Sequence, residues 1–242
     1  MAELFGWRAA LGAWVLLALA ALPPWIVLAV RRRSIPVPGP ASPPAAARSM
    51  ARSPTAWLLL VIYATMAVDL YAIYIWLPAL VDEAGRTGPA VAGALLGLFS
   101  IMGLVASILT GVLAPRLRSP AVLVPWAVAL LLVGFAGMIV LPHLAPLWVV
   151  LFGLCPPTLF QVSFMLIGLM TRDERTAVSL SAFVQGLGFG IGALGPLAFG
   201  ALRTATGTWT TSLVVFGVLS LGAAVAALRL RPGRFVEDEL RS

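Results

Sequence analysis

Residues 55–80 read TAWLLLVIYATMAVDLYAIYIWLPAL. Along all of it one side chain, Asp69, is ionisable. A helix rises 1.5 Å per residue, so this stretch is long enough to cross the roughly 30 Å of hydrocarbon in a bilayer. The period-two alternation of a barrel strand is missing. The stretch therefore reads as a membrane helix with one acid near its middle. Composition extends that reading to the whole chain. Of 242 residues, 61% are hydrophobic and 10% charged, against roughly 25% charged in a soluble domain, and the mean hydropathy is +1.02. An all-α membrane protein is implied. A soluble enzyme, a disordered tail and a disulfide-stapled secreted module are excluded, and the lone Cys155 cannot form an internal disulfide.

Seven stretches are long and apolar enough to span, at 8–30, 55–80, 89–113, 120–141, 146–170, 177–201 and 209–228. Turn residues or charges separate them, such as Asp82-Glu83-Ala84-Gly85-Arg86 and Thr171-Arg172-Asp173-Glu174-Arg175. The first is no cleavable leader, because its cluster Arg31-Arg32-Arg33 follows the apolar run. The sixteen basic residues are all Arg. Thirteen fall in the 31–54 loop, the 114–119 and 171–176 turns and the tail after 228; Arg8, Arg86 and Arg203 lie on the other side. The positive-inside rule then puts the N-terminus outside and the C-terminus in the cytoplasm of a multi-pass protein of the bacterial inner membrane. The net charge of +7 is thereby read as a topology signal, not as a nucleic-acid surface.

Four segments follow: a helix at 1–30, a cytoplasmic Pro/Ala/Arg linker at 31–54, a six-helix block at 55–228 and a cytoplasmic tail at 229–242. The linker contains Ile35-Pro36-Val37-Pro38-Gly39-Pro40, which suits an extended spacer. Polarity within the spans has a period of three. The first, fourth and seventh are nearly free of polar side chains, whereas the pairs between them carry Tyr, Ser, Thr, Gln and Asp69. Every third helix is therefore expected to face lipid, a three-plus-three repeat. Gly6-Trp7-Arg8 opens the first span much as Gly207-Thr208-Trp209 opens the last.

Tyr71 with Trp76-Leu77-Pro78, then Ala92-Gly93 and Leu95-Leu96, resembles the seventh and eighth helices of cyanate-transporter-type major facilitator proteins. Leu166-Ile167-Gly168-Leu169, Leu180-Ser181-Ala182 with Gln185, and Gly195-Pro196 resemble that family's tenth and eleventh helices. Thr206-Gly207 with Trp209 looks like the start of its twelfth, and Gly6-Trp7-Arg8 like the start of its sixth. The resemblance implies helix six plus the C-terminal six-helix half of a twelve-helix transporter of a small polar or anionic solute, with or without protons. It also implies a missing N-terminal half or a second chain, and leaves a truncated inactive remnant or a non-transporting membrane partner as the alternative. Met66 stands where the family often has glutamine, Asp69 where asparagine is common, and Ser100 at another frequent glutamine position. Gly111-Val112-Leu113-Ala114-Pro115-Arg116 resembles a decayed loop motif with Pro115 in place of aspartate.

An acid in mid-bilayer costs about 2.5–3.5 kcal/mol on insertion scales, so Asp69 is expected to face a cavity or to bond between helices. Thr65, Asp69, Ala72 and Trp76 share a helical stripe, read as a cavity wall; Trp76, within a few residues of the outer end, reads better as an interfacial anchor. Tyr71 and Ser100 join as candidates through the resemblance. Gln161 and Gln185 suit either anion recognition or interhelical bonding. Pro156-Pro157 is expected to break the fifth span and free the carbonyls of Phe152 and Gly153. Gly186, Gly188, Gly190, Gly192 and Gly195 read as a close-packing surface, not a phosphate loop, and Gly93 with Gly97 as a second small-residue pair. His143 has no partner for a metal site. No cofactor, metal cluster or nucleophile–base pair is visible, so an enzyme is not expected.

Overall fold

The computed structural model describes residues 18–30, 49–85, 88–231 and 233–241, together with Gly12 and Val15. The chain divides into two units, Met1–Ser42 and Pro43–Ser242. In the first, helix α1 covers Ala18–Val30. The Gly6-Trp7-Arg8 opening, residues 31–48 of the linker and Arg86 lie outside the described residues.

The second unit holds six helical spans long and apolar enough to cross a membrane. They comprise α2 (Pro54–Gly85), α3 (Gly88–Leu113), α4 (Leu123–Val140), α5 (Ala145–Leu169), the pair α6 (Glu174–Gly192) and α7 (Gly195–Thr206), and α8 (Trp209–Arg229). A short helix, α9 (Val236–Arg241), follows. Helix α2 begins where its sequence dictates. Ser53 accepts a hydrogen bond from Ala56 N at 3.1 Å, and Pro54 takes the first helical position, where its missing N–H costs nothing. Before the last span Gly207 closes α7 with φ 75°, the left-handed conformation that glycine adopts without a Cβ clash.

The expected break is misplaced. Helix α5 runs unbroken through Pro156 and Pro157, while the sixth span, read as one run at 177–201, divides between Gly192 and Gly195. Pro196 causes this division. It lacks an N–H, its ring would clash with the Gly192 carbonyl one turn back, and it sits in the first turn of the new helix, where both are tolerated. At the proline pair of α5, neighbouring helices hold the segment instead: Gly153 lies so close to α3 that an added Cβ would come 2.7 Å from the Phe99 carbonyl oxygen.

Helix α2 is the hub, packed against α3, α5, α6, α7 and α8; α5 also contacts α3 and α4, and α4 closes against α8. The α2 seam with α6 and α7 is built on glycine. A Cβ at Gly188 would lie 2.5 Å from the Tyr63 ring, one at Gly192 2.5 Å from Ala67 Cβ, one at Gly195 2.7 Å from the Val68 carbonyl oxygen, and one at Gly200 2.4 Å from the Trp76 ring. Gly186 and Gly190 face open space, as do Gly93 and Gly97 on α3. The expected glycine surface is thus real on one face of α6 only. Apart from Trp126, and Thr210 and Arg229 at the ends of α8, the exposed faces of α4 and α8 are aliphatic, as Leu130, Val133 and Val140, and Val214, Val218 and Leu228 show, which fits lipid contact. Tyr71, Tyr74, Ser100 and the uncovered glycines lie on the exposed faces of α2, α3 and α6.

The tail carries structure that its sequence did not announce. Glu239 on α9 accepts hydrogen bonds from Ser53 Oγ, from Thr55 N at 3.1 Å and from Thr55 Oγ1 at 2.7 Å, so a residue from the end of the chain caps the start of α2. Arg234 pairs with the same carboxylate at 2.8 Å. Arg172 N donates to Glu237 at 2.7 Å, and its guanidinium grips Asp238 through both oxygens at 2.7 and 3.0 Å. Val236, fully buried, donates from its N–H to the Met170 carbonyl at 3.0 Å. Burial opposes the charge of Glu239, but the bonds from Ser53, Thr55 and Arg234 outweigh it and hold the carboxyl below its ordinary value. Asp173, the N-cap of α6, is likewise held low by hydrogen bonds from Thr176.

Two outcomes are expected in thermal unfolding followed by tryptophan fluorescence in detergent. Gly195→Ala drives a methyl into backbone and should cost about 1–3 kcal/mol, whereas Gly186→Ala and Gly190→Ala should unfold with the parent chain. Equal effects at all three positions would show that the seam is not the close contact described. Glu239→Gln should lower the midpoint at neutral pH, since bonds to a charged acceptor contribute about 1.5–3 kcal/mol each. A depressed carboxyl stabilises fully above its unfolded value of 4.5 and loses that contribution as pH falls through its folded value. The difference between parent and variant should therefore narrow below pH 4.5.

Candidate functional site

Asp69 lies near the middle of α2 and is 1% exposed. It does not line an open wall. Ser220 Oγ on α8 sits 2.8 Å from Asp69 Oδ2 and 2.8 Å from the Phe216 carbonyl oxygen. A serine hydroxyl has one hydrogen. With Asp69 ionised, that hydrogen goes to the carboxylate. With Asp69 protonated, the acid donates to Ser220 Oγ, and Ser220 donates onward to Phe216. Both protonation states find partners here, with a reversed bond direction. The ion pairs of Arg172, Arg203 and Arg234 among the described residues all lie at helix ends.

The rest of the expected stripe is turned inward too. Ala72 is fully buried, Thr65 half-buried, and Trp76 packs on Gly200 while its indole N–H donates to the Pro196 carbonyl at 2.8 Å. Through Asp69 and Trp76 the stripe reaches α8 and α7, while Thr65 stays half-buried. Ser100 is exposed and donates back to Leu96 at 3.0 Å. Gln161 is half-buried, with a carbonyl oxygen that has no partner among the described residues. Thr158 reaches Thr110 on α3 at 3.3 Å, so it ties helices together.

Tyr71 remains on an open face, 36% exposed, in company that the sequence did not reveal. Its ring lies 6.4 Å from Phe189 on α6, and Phe189 lies 5.3 Å from Tyr63. Tyr63 also meets Phe160 at 6.0 Å and Phe164 at 6.4 Å on α5, and these two are 4.9 Å apart. Phe160, Phe164 and Phe189 are each about 40% exposed, whereas Tyr63 is buried and its hydroxyl has no partner among the described residues. Beside this cluster a groove of about 540 Å³ separates α5 from α6, lined by Phe164, Ile167, Gly168, Ser181, Gln185 and Gly186, with Glu174 at its mouth. Gln185 Nε2 donates to Ser181 Oγ. Ser181, Gln185 and Phe189 recur every four residues, as do Phe160 and Phe164, so each set occupies one helix face. The Ser181–Gln185 spacing is legible in the sequence, whereas the phenylalanines are not singled out because phenylalanine in an apolar run looks like core.

Comparison with known proteins fits this architecture. The family model of the Major Facilitator Superfamily matches residues 1–155. The 2-nitroimidazole transporter of Escherichia coli (strain K12) is 28% identical over 181 residues, 75% of this chain and 46% of that protein. The cyanate transport protein CynX of the same organism is 31% identical over 184 residues, 76% and 47% respectively. The uncharacterized transporter YycB of Bacillus subtilis (strain 168) is 27% identical over 223 residues, 90% and 54%. The chain thus spans about half the length of these relatives. A membrane block of six spans, a hub helix bearing a buried acid, and these matches together make the chain a member of the Major Facilitator Superfamily.

Proposed function

We propose that this chain is the C-terminal half of a secondary transporter, with the preceding helix, and that it moves a small polar or anionic solute by alternating access together with a second half. The supporting observation is the distribution of exposed polar groups on the six-helix block. Between their ends, the exposed faces of α4 and α8 are aliphatic apart from Trp126, which suits lipid. Helices α2, α3, α5 and α6 expose Tyr71, Ser100 and the groove with Gln185 among aliphatic residues such as Leu104 and Leu187. Transporter sites lie between two such repeats, and the aligned part of this chain covers 46% and 47% of two of its transporter relatives. The arginines at the Ser53, Arg118, Arg172 and Arg231 end support a cytoplasmic placement of that end.

Asp69 is the proton-coupling candidate in this reading. The Asp69–Ser220 pair accommodates both protonation states without leaving a buried group unpartnered, and so keeps the cost of cycling an intramembrane acid low. Asp69→Asn preserves size and hydrogen bonding while removing titration. In proteoliposomes holding the chain with its second half, pH-gradient-driven uptake of cyanate or 2-nitroimidazole should fall at least tenfold in this variant, with counterflow exchange retained. Unchanged coupling would remove Asp69 from the role. The half-length coverage favours a second reading, a membrane partner that assembles without transporting; binding to a second half with no uptake of either solute would establish it.

A further inference from the structure

At the end of the block away from Arg172 and Arg234, the outer end in the proposed orientation, α2, α4 and α8 border a cavity of about 300 Å³. Glu83 of α2 and Thr208, Trp209 and Thr210 at the start of α8 form its polar wall; buried Leu80 and Leu213 belong to the apolar one. It shares no residue with the α5–α6 groove. The Trp209 ring stacks on Phe199 at 5.6 Å and meets Trp76 at 5.5 Å. Arg203 lies over that ring at 5.4 Å and pairs with Glu83 at 2.8 Å.

Two donors in this assembly are unsatisfied. The indole N–H of Trp209 and the Nε–H of Arg203 are buried and have no acceptor among the described residues. The packed indoles of Trp76 and Trp148 each donate to a backbone carbonyl; that of Trp209 does not. A buried donor that has given up water without gaining a partner is costly. Thr208, the N-cap of α8, makes no side-chain cap bond either, which leaves first-turn N–H groups uncapped at the same wall. An acceptor-bearing group seated beside Trp209 meets that need.

What leads away from the cavity decides the kind of ligand. Thr210, Val214 and Val218 are exposed at every fourth position of α8 and so share one face. Val133 and Val140, seven apart, do the same on the neighbouring α4. Both stripes run from the cavity toward the hydrocarbon. A soluble solute makes no use of them, whereas acyl chains do. Charge then narrows the headgroup. Glu83 and Arg203 neutralise each other, so a free phosphate dianion finds no spare cation. A phosphodiester carrying a primary ammonium adds no net charge. Its oxygens accept from the α8 end, and its ammonium donates to Glu83, whose side chain is 49% exposed and open to a second partner. A glycerol headgroup would set an unpaired negative charge beside Glu83, and a choline has no N–H to donate.

We infer that this cavity seats the headgroup of an outer-leaflet phospholipid of the ethanolamine type. The phosphate sits on Trp209 and Thr210, the ammonium on Glu83, and the acyl chains along Val214, Val218 and Val140. Bound there, the lipid ties the ends of α2, α4 and α8 together. The site does not depend on the transport reading.

The probes are dioleoyl lipids bearing ethanolamine, choline or glycerol headgroups, mixed in equal amounts with the full chain in detergent. Native mass spectrometry should show one ethanolamine lipid retained about tenfold over the others, the worth of one charge-assisted hydrogen bond. Glu83→Gln should erase that preference. Thr210→Val and Trp209→Phe should each lower retention of the ethanolamine lipid about fivefold. Glu83 and Thr210 are exposed, so their variants should unfold with the parent chain, and they carry the test if Trp209→Phe melts early. Equal retention of the three lipids, or unchanged retention in both Glu83→Gln and Thr210→Val, would overturn the assignment. O-phosphoethanolamine, the headgroup without its chains, should not compete; displacement of the lipid at equal concentration would overturn the assignment in favour of a soluble zwitterion. Lipid retention is read without uptake, so failure here leaves the transport reading standing.

Discussion

Close approach of α2 to α6 and α7 is the contact on which the rest of the block depends. Between apolar helices in lipid there is no hydrophobic gain from association, because the tails are as apolar as leucine. Dispersion across a tight interface has to supply the attraction, and it falls off within an ångström of extra separation. Gly188, Gly192, Gly195 and Gly200 let the α2 backbone and rings come that near. The bend at Pro196 matters to this seam: it lets the small residues of two consecutive helices face one partner along its length. Tyr63 lies beside Phe189 because Gly188 has no side chain to keep it away.

Six of the spans were legible in the sequence because span length and apolar content are set by bilayer thickness, a constraint that acts on every residue of a run. Which face of a helix turns inward was much less legible. Thr65, Asp69, Ala72 and Trp76 do share a stripe, yet Asp69 and Trp76 on it bond to α8 and α7, because in a nearly all-apolar helix polarity barely distinguishes the two sides. The break at Ala193-Leu194 was missed for a related reason. Pro156-Pro157 drew attention as a doublet, although what decides the outcome is whether a neighbouring helix can hold the freed carbonyls. The docking of the tail could not be read at all. Glu239 and Thr55 are far apart in the chain, and nothing local to either announces the other.

Helix α2 bonds its acid to one neighbour and packs two of its tyrosines on another. Asp69 is bonded to α8, while Tyr63 and Tyr71 meet Phe189 on α6. A change in the Asp69–Ser220 bond therefore acts on the seat of the hub helix, and a change in ring packing acts on the same rigid element from the other flank.

The clasp between Glu239 and the first turn of α2 makes the six-helix block topologically a ring, its first and last helical residues meeting at one corner. A chain whose ends meet can in principle be cut in any exposed turn and rejoined at that corner without disturbing the packing order. The connections at both ends of the block also leave from the same place.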